Sequence, residues 1–145
     1  MNHILMAIDF SESSKEVEKV GFALAKKINA KVSLVSIIDK NITYLPADTG
    51  EIVENMWEAD KAYAEKELAS IKANHADVDC ETICFVGDSK EDIIELSVEK
   101  HSTFIVMGTH GRTGLSHLLT GSTAEYIIRH SVVPIIVVPL KHQRH

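Results

Sequence analysis

The chain has 145 residues, 45% hydrophobic and 25% charged, which suits one domain over 1–145 and excludes a disordered chain. Its 15 Lys and Arg against 21 Asp and Glu leave a net charge of −6, excluding a general nucleic-acid binder, since counterion replacement needs a basic face. No run nears the ~18 apolar residues of a membrane span, and the opening segment lacks the basic start and cleavage site of a secretory signal, so a cytoplasmic protein with no membrane partner is expected.

Residues 3–8 read as a first strand. Ser13-x-x-Glu16 has the form of a capping box and opens a helix on which Val17, Val20, Leu24 and Ile28 recur at helical spacing. Residues 31–38 form a second strand, apolar at Val32, Leu34, Val35, Ile37 and Ile38. A polar loop over 39–50 leads to a long helix at about 51–74. Its apolar stripe is Val53, Met56, Trp57, Tyr63, Ala64, Leu68 and Ile71, read as core rather than as a cofactor box.

Residues 78–86 are the third strand and carry the only cysteines, Cys80 and Cys84. Four residues apart on a strand, they lie ~13 Å from each other, beyond disulfide reach. Both are expected in the core, facing the same way as Val78 and Val86. Gly87-Asp88 turns the chain, and Ser89-x-x-Asp92 starts a helix with Ile93, Ile94, Leu96 and Val98 as its apolar surface. Residues 103–107 are a buried fourth strand, 108–121 a glycine-rich loop and 122–130 a last helix. Pro134 and Pro139 bracket a fifth strand, Ile-Ile-Val-Val.

Strands alternating with helices imply parallel β-α-β units. Right-handed crossovers then lead to an α/β fold: a five-stranded, doubly wound, Rossmann-like parallel sheet of order 3-2-1-4-5 with helices on both faces. The winding reverses between strands one and four, and ligands of such sheets bind at the carboxyl ends beside that switch. Asp9 follows strand one and Gly108 follows strand four.

The loop glycines let backbone approach a ligand without Cβ obstruction. Gly121-Ser122-Thr123 opens the last helix, where free N–H groups and the positive dipole end suit a phosphate. Ser122 and Thr123 add hydroxyls, and Arg112 adds a mobile cation. A loop whose glycines only turn the chain, with Ser122 as N-cap, is the plain alternative, but ~14 irregular residues inside a compact domain are usually functional. There is no Gly-x4-Gly-Lys-[Ser/Thr] run. The turn after strand one, Asp9-Phe-Ser-Glu-Ser-Ser, holds no glycine, so the dinucleotide fingerprint is absent as well.

Gly108-x2-Gly111-x9-Gly121-Ser122 resembles the nucleotide-binding pattern of the universal stress protein family, Gly-x2-Gly-x9-Gly-[Ser/Thr]. The opening Ile4-Leu-Met-Ala-Ile-Asp9-Phe-Ser11 and the ending Val133-Pro134-Ile-Ile-Val-Val138-Pro139 are similar to that family too. The resemblance is to its ATP-binding branch. It implies that Ala7 and Asp9 lie against adenine and ribose, that Ile37 contacts the base, and that Met107 and Gly108 approach the ribose. It places His110, Gly111, Gly121, Ser122 and Thr123 around the phosphates. The implied ligand is ATP, or ADP or AMP, with Mg²⁺. Asp9 would repel bare phosphates, so a base, ribose or Mg²⁺ role suits it. The loop shows no general base or water-positioning Gln, which favours a stress-response sensor or regulator over an enzyme. The rival is a Mg²⁺-dependent nucleotide hydrolase or phosphotransferase using Asp9.

His110 and His117 could pair on a metal, but no third ligand is recognisable, and metal sites need three or four. His142 and His145 read as a tail. Ile135, Ile136, Val137 and Val138 are apolar on both faces of a strand at the sheet edge, which invites pairing with another chain. The flanking prolines leave the N–H groups between them free to pair. A homodimer through 134–139 is expected, and the resemblance implies the same contact. The alternative is a monomer whose edge is covered by the tail at 141–145.

Overall fold

The computed structural model describes residues 1–40, 54–109 and 121–140, with backbone alone at 54–56. Val53, the Met56 side chain, His110, Gly111, Arg112, His117, His142 and His145 lie outside the described residues. The strands are β1 (His3–Ala7), β2 (Lys31–Asp39), β3 (Cys80–Gly87), β4 (Phe104–Gly108) and β5 (Ile135–Val138). They alternate with α1 (Ser14–Ile28), α2 (Glu54–Asn74), α3 (Glu91–Glu99) and α4 (Ser122–His130). Every neighbouring pair is parallel and the order is β3-β2-β1-β4-β5. This is the Rossmann-like, doubly wound sheet that the alternation of elements predicts.

Strand alternation divides the core between two faces. Ile4, Met6, Val32, Leu34 and Val106 pack with Val17, Phe22 and Leu68 on the α1/α2 face. Leu5, Val35, Ile105 and Met107 pack with Ile93, Ala124 and Ile127 on the α3/α4 face. Covered on both faces, β1 reads as an unbroken apolar run, and Ile4, Leu5 and Met6 are fully buried. Each such side chain contributes ~1.5–3 kcal/mol relative to exposure. Gly21 lets α1 lie directly on β1, because a Cβ there would collide with Met6 Sδ.

The helix starts differ from expectation. Ser13 is the N-cap of α1, but it is helical in its own backbone and makes no side-chain cap bond, so the capping box does not form. Its Oγ lies 2.9 Å from Ser11 Oγ instead. Ser89 does not cap α3 either. Asp88 Oδ1 accepts from the N–H groups of Lys90 (2.8 Å) and Glu91 (3.0 Å), while Asp92 Oδ2 accepts from Asp88 N–H at 2.8 Å. These backbone donors hold the Asp88 carboxyl below its ordinary range. Ser89 Oγ donates to Asp39 Oδ2 at 3.0 Å, across the ends of β2 and β3.

Three residues assigned to apolar surfaces are exposed: Tyr63 (53%), Val98 (49%) and Val86 (38%). Ala64 and Leu68 of the same stripe are buried, so α2 is rotated to keep Tyr63 at the rim. Cys80 and Cys84 are free thiols on the α1/α2 side of the core. Burial pushes the Cys80 thiol up to about 11 and raises Cys84 as well, which leaves both inert. Among the described residues, no helix is long and apolar enough to cross a membrane.

Candidate functional site at the switch point

The carboxyl ends of β1, β2 and β4 open into a cavity of about 320 Å³. Of the residues nominated from sequence, Ala7, Asp9, Ile37, Met107, Gly108, Ser122 and Thr123 line it. Gly121 is not among the lining residues; it caps α4, and its N–H donates to Thr109 O.

Asp9 shapes the turn that leaves β1. Ile8 N–H still reaches Val35 O at 2.8 Å, and then the chain departs from the sheet. Asp9 Oδ1 accepts from Ser11 N–H (3.0 Å), Ser11 Oγ (2.6 Å) and Ser14 Oγ (3.0 Å). The pattern is an Asx-turn reinforced by two hydroxyls. Inside it Phe10 takes φ 61°. For a bulky residue the left-handed region costs ~1–3 kcal/mol, and such strain persists only where the surroundings fix it. The Phe10 ring is fixed edge-on against Tyr63, with centroids 5.7 Å apart at 74°.

Gly108 ends β4 against the start of α1. A Cβ at Gly108 would lie 2.6 Å from Ser13 Oγ and 3.1 Å from Ser13 Cβ. A side chain at 108 would therefore force Ser13 to shift, whatever ligand approaches it.

The cap of α4 is Gly121, not Ser122, and it makes no side-chain cap bond. The first-turn N–H groups of an α-helix have no intrahelical acceptors. Ser122 and Thr123, which carry two of them, face the cavity. The positive end of the helix dipole is thus offered to whatever enters.

Several lining residues escaped the sequence reading: Phe10, Ser36, Asp39, Asp60, Tyr63 and Lys90. A readable signal existed for Ser36, a hydroxyl between Val35 and Ile37 in a run that otherwise reads as buried strand. Phe10 gave none, because phenylalanine is not a residue that announces a left-handed turn. The carboxylates of Asp9, Asp39 and Asp60 share the cavity with the cation of Lys90. Among the described residues no group of three His, Cys, Asp or Glu side chains is placed to hold a metal.

The family model for the universal stress protein family matches residues 1–139. The chain is 31% identical over 137 residues to universal stress protein MJ0531 of Methanocaldococcus jannaschii, covering 93% of this chain and 80% of that protein. The solved structure of hypothetical protein MJ0577 matches with a TM-score of 0.81 at 28% identity, over 98% of both chains. The same fold occurs in a universal stress protein solved in complex with cAMP (TM-score 0.66, 21% identity, 97% of this chain and 98% of that one). It occurs again in the Archaeoglobus fulgidus universal stress protein in complex with dAMP (TM-score 0.63, 19% identity, 95% and 98%). With its strand order, its cavity at the sheet's switch point and a family match over nearly its whole length, the chain belongs to the universal stress protein family.

Proposed function

We propose that the cavity binds an adenine nucleotide, ATP or its di- or monophosphate, and that the protein acts as a cytoplasmic stress-response sensor or regulator. The observation that carries this reading is the start of α4: a glycine cap followed by Ser122 and Thr123 at the cavity wall. Such a terminus fits a phosphate chain. Two proteins of the same fold were solved with cAMP and with dAMP, which supports adenine nucleotides as the ligand class.

By the family pattern, Ala7, Asp9 and Ile37 would take adenine and ribose, and Met107 and Gly108 the ribose. Gly121, Ser122 and Thr123, together with His110, Gly111 and Arg112 of the loop, would take the phosphates. Mg²⁺ is commonly held by substrate phosphates and one or two carboxylates. Here it would enter with the nucleotide and screen the phosphate charge from Asp9. Asp9 Oδ1 is already the acceptor of three hydrogen bonds, which suits a positioning carboxylate better than a proton acceptor.

The direct test is mass spectrometry of small molecules released by denaturing freshly purified protein. An adenine nucleotide near one per chain is expected. Its absence, with no calorimetric response to added ATP, would sink the reading. A turnover assay separates the sensor from a hydrolase: ADP in large excess over protein would favour the enzyme.

We also propose a homodimer through β5. This strand is a sheet edge with Ile135, Ile136 and Val137 half-buried, and Ile128 and Val132 are exposed nearby in sequence. Pairing with its own copy across a two-fold axis would satisfy that edge. Light scattering should give twice the chain mass, and Val137→Lys should shift it toward monomer. A monomeric wild type at tens of micromolar would defeat the dimer alone.

A further inference from the structure

One cation stands in the cavity wall. Among the described lining residues, Lys90 is the only Lys, Arg or His. Its charged companions in the wall are carboxylates, which when ionised accept hydrogen bonds and have none to donate to a phosphate. The helix it begins gives no reason for a lysine there. Lys90 is the N-cap of α3, ahead of Glu91 and Asp92 in the first turn, and a cation at that end opposes the helix dipole.

Its backbone is fixed, and its side chain is not. The N–H donates to Asp88 Oδ1 at 2.8 Å, and the carbonyl accepts from Ile94 N–H at 3.4 Å. The ammonium forms no ion pair among the described residues. Asp88 feels its charge, with that of Lys40, without pairing with it. Nζ lies instead over the Tyr126 ring, 5.7 Å from the centroid. Tyr126 follows Ser122 and Thr123 by four and three residues, so the three are neighbours along one side of α4. Helical side chains lean back over the preceding turn, and the ring therefore carries the ammonium toward the start of α4. A cation–π contact at a half-buried position is weaker than a charge-assisted hydrogen bond to phosphate. The flexible lysine stem can exchange one for the other.

We propose that Lys90 sets the phosphate count of the ligand: it leaves Tyr126 when the nucleotide enters and donates to the outer phosphates of ATP, so that the triphosphate is preferred to AMP. This rests on the nucleotide reading and sharpens it. The first turn of α4 serves the phosphate chain of either nucleotide. The additional negative charge of the outer phosphates is what a nearby ammonium distinguishes.

The test is calorimetric titration of the full chain with ATP and with AMP at one Mg²⁺ concentration. Wild type should bind ATP more tightly than AMP. Lys90→Met keeps the apolar stem and the backbone bonds. It should weaken ATP about tenfold, as loss of one charge-assisted hydrogen bond does, and AMP by less than about threefold. Lys90→Arg restores the charge and should return ATP to within about threefold of wild type. ATP affinity unchanged in Lys90→Met would overturn the proposal. Equal losses for ATP and AMP would overturn it as well, since Lys90 would then only pack against the part they share. So would a wild type that binds the two alike. Each of those results leaves nucleotide binding itself intact. A wild type that binds neither would instead sink the nucleotide reading and the role of Lys90 with it.

Discussion

At the amino end of β1 the ring of His3 is held on both sides, with Nδ1 2.8 Å from Ser102 Oγ and Nε2 2.8 Å from Ser33 Oγ. Its backbone N–H donates to Thr103 Oγ1 at 3.1 Å, and its carbonyl accepts from Thr103 N–H at 2.7 Å. Asn2 ties the same end to the close of α1 through Ile28 O at 2.9 Å. Seven residues later, at the carboxyl end, the chain bends through a left-handed Phe10 and opens on a cavity lined by Ser36 and by the first turn of α4. A sheet buried on both faces must pair its polar groups, because each one left unpaired costs free energy. The amino end does so completely enough to serve as a plug. The carboxyl end carries the cavity and the first turn of α4 instead, which makes it the candidate place for a ligand.

The largest expected effect falls on the open end. Gly121 has φ −72° and ψ 166°, which any residue adopts, so Gly121→Val should fold. Its branched side chain would stand where phosphate must meet backbone, and calorimetry should find ATP binding abolished. Unchanged affinity in a folded variant would break the contrast. At the closed end, His3→Leu should cost ~1–3 kcal/mol in urea denaturation, since it strands the fully buried Ser33 hydroxyl. It should leave nucleotide affinity alone; a coupled loss would show that the two ends are not independent.

Ser122→Ala should weaken ATP by only ~0.5–3 kcal/mol, because its hydroxyl is one donor beside backbone N–H groups. Complete loss would assign Ser122 a chemical role.

The smallest effect is a pH slope. Burial lowers the pKa of His3, with Lys100 acting the same way and Glu81 opposing. The folded state therefore favours the neutral ring, and the unfolded chain takes up the proton first. The contribution of His3 is fully present above the ordinary value of 6.5 and is lost as pH falls toward the lowered folded value. The stability advantage of wild type over His3→Leu should shrink between about pH 7.5 and pH 5.5. An advantage independent of pH would mean that the ring is not held neutral.

Strand order and the bounds of α4 were legible because they follow from strong local signals: apolar runs for the strands, and a glycine before Ser122 for the helix. Tyr63 and Val98 were misplaced because helical spacing records which residues are apolar, not which way the helix is turned. Ser13 and Ser89 carried the right chemistry for caps, yet Ser13 Oγ meets Ser11 Oγ instead, and at α3 Asp88 takes the N–H groups. Asp88 reaches the N–H groups of Lys90 and Glu91, and Asp9 gathers Ser11 and Ser14. A carboxylate forms stronger hydrogen bonds than a hydroxyl, and spacing alone does not rank the two. The cavity wall at Ser36 and Tyr63 was out of reach because it joins β2 to α2, and the side chains meeting there are distant in sequence.

Gly108 has a diagnostic consequence. The place its side chain would occupy borders Ser13, so a side chain at 108 would press on Ser13 even in a descendant of this chain that had lost its ligand. Of the pattern Gly108-x2-Gly111-x9-Gly121-Ser122, that first position reports on how β4 meets α1. A search for nucleotide binders among such sequences gains its discrimination from the positions that follow.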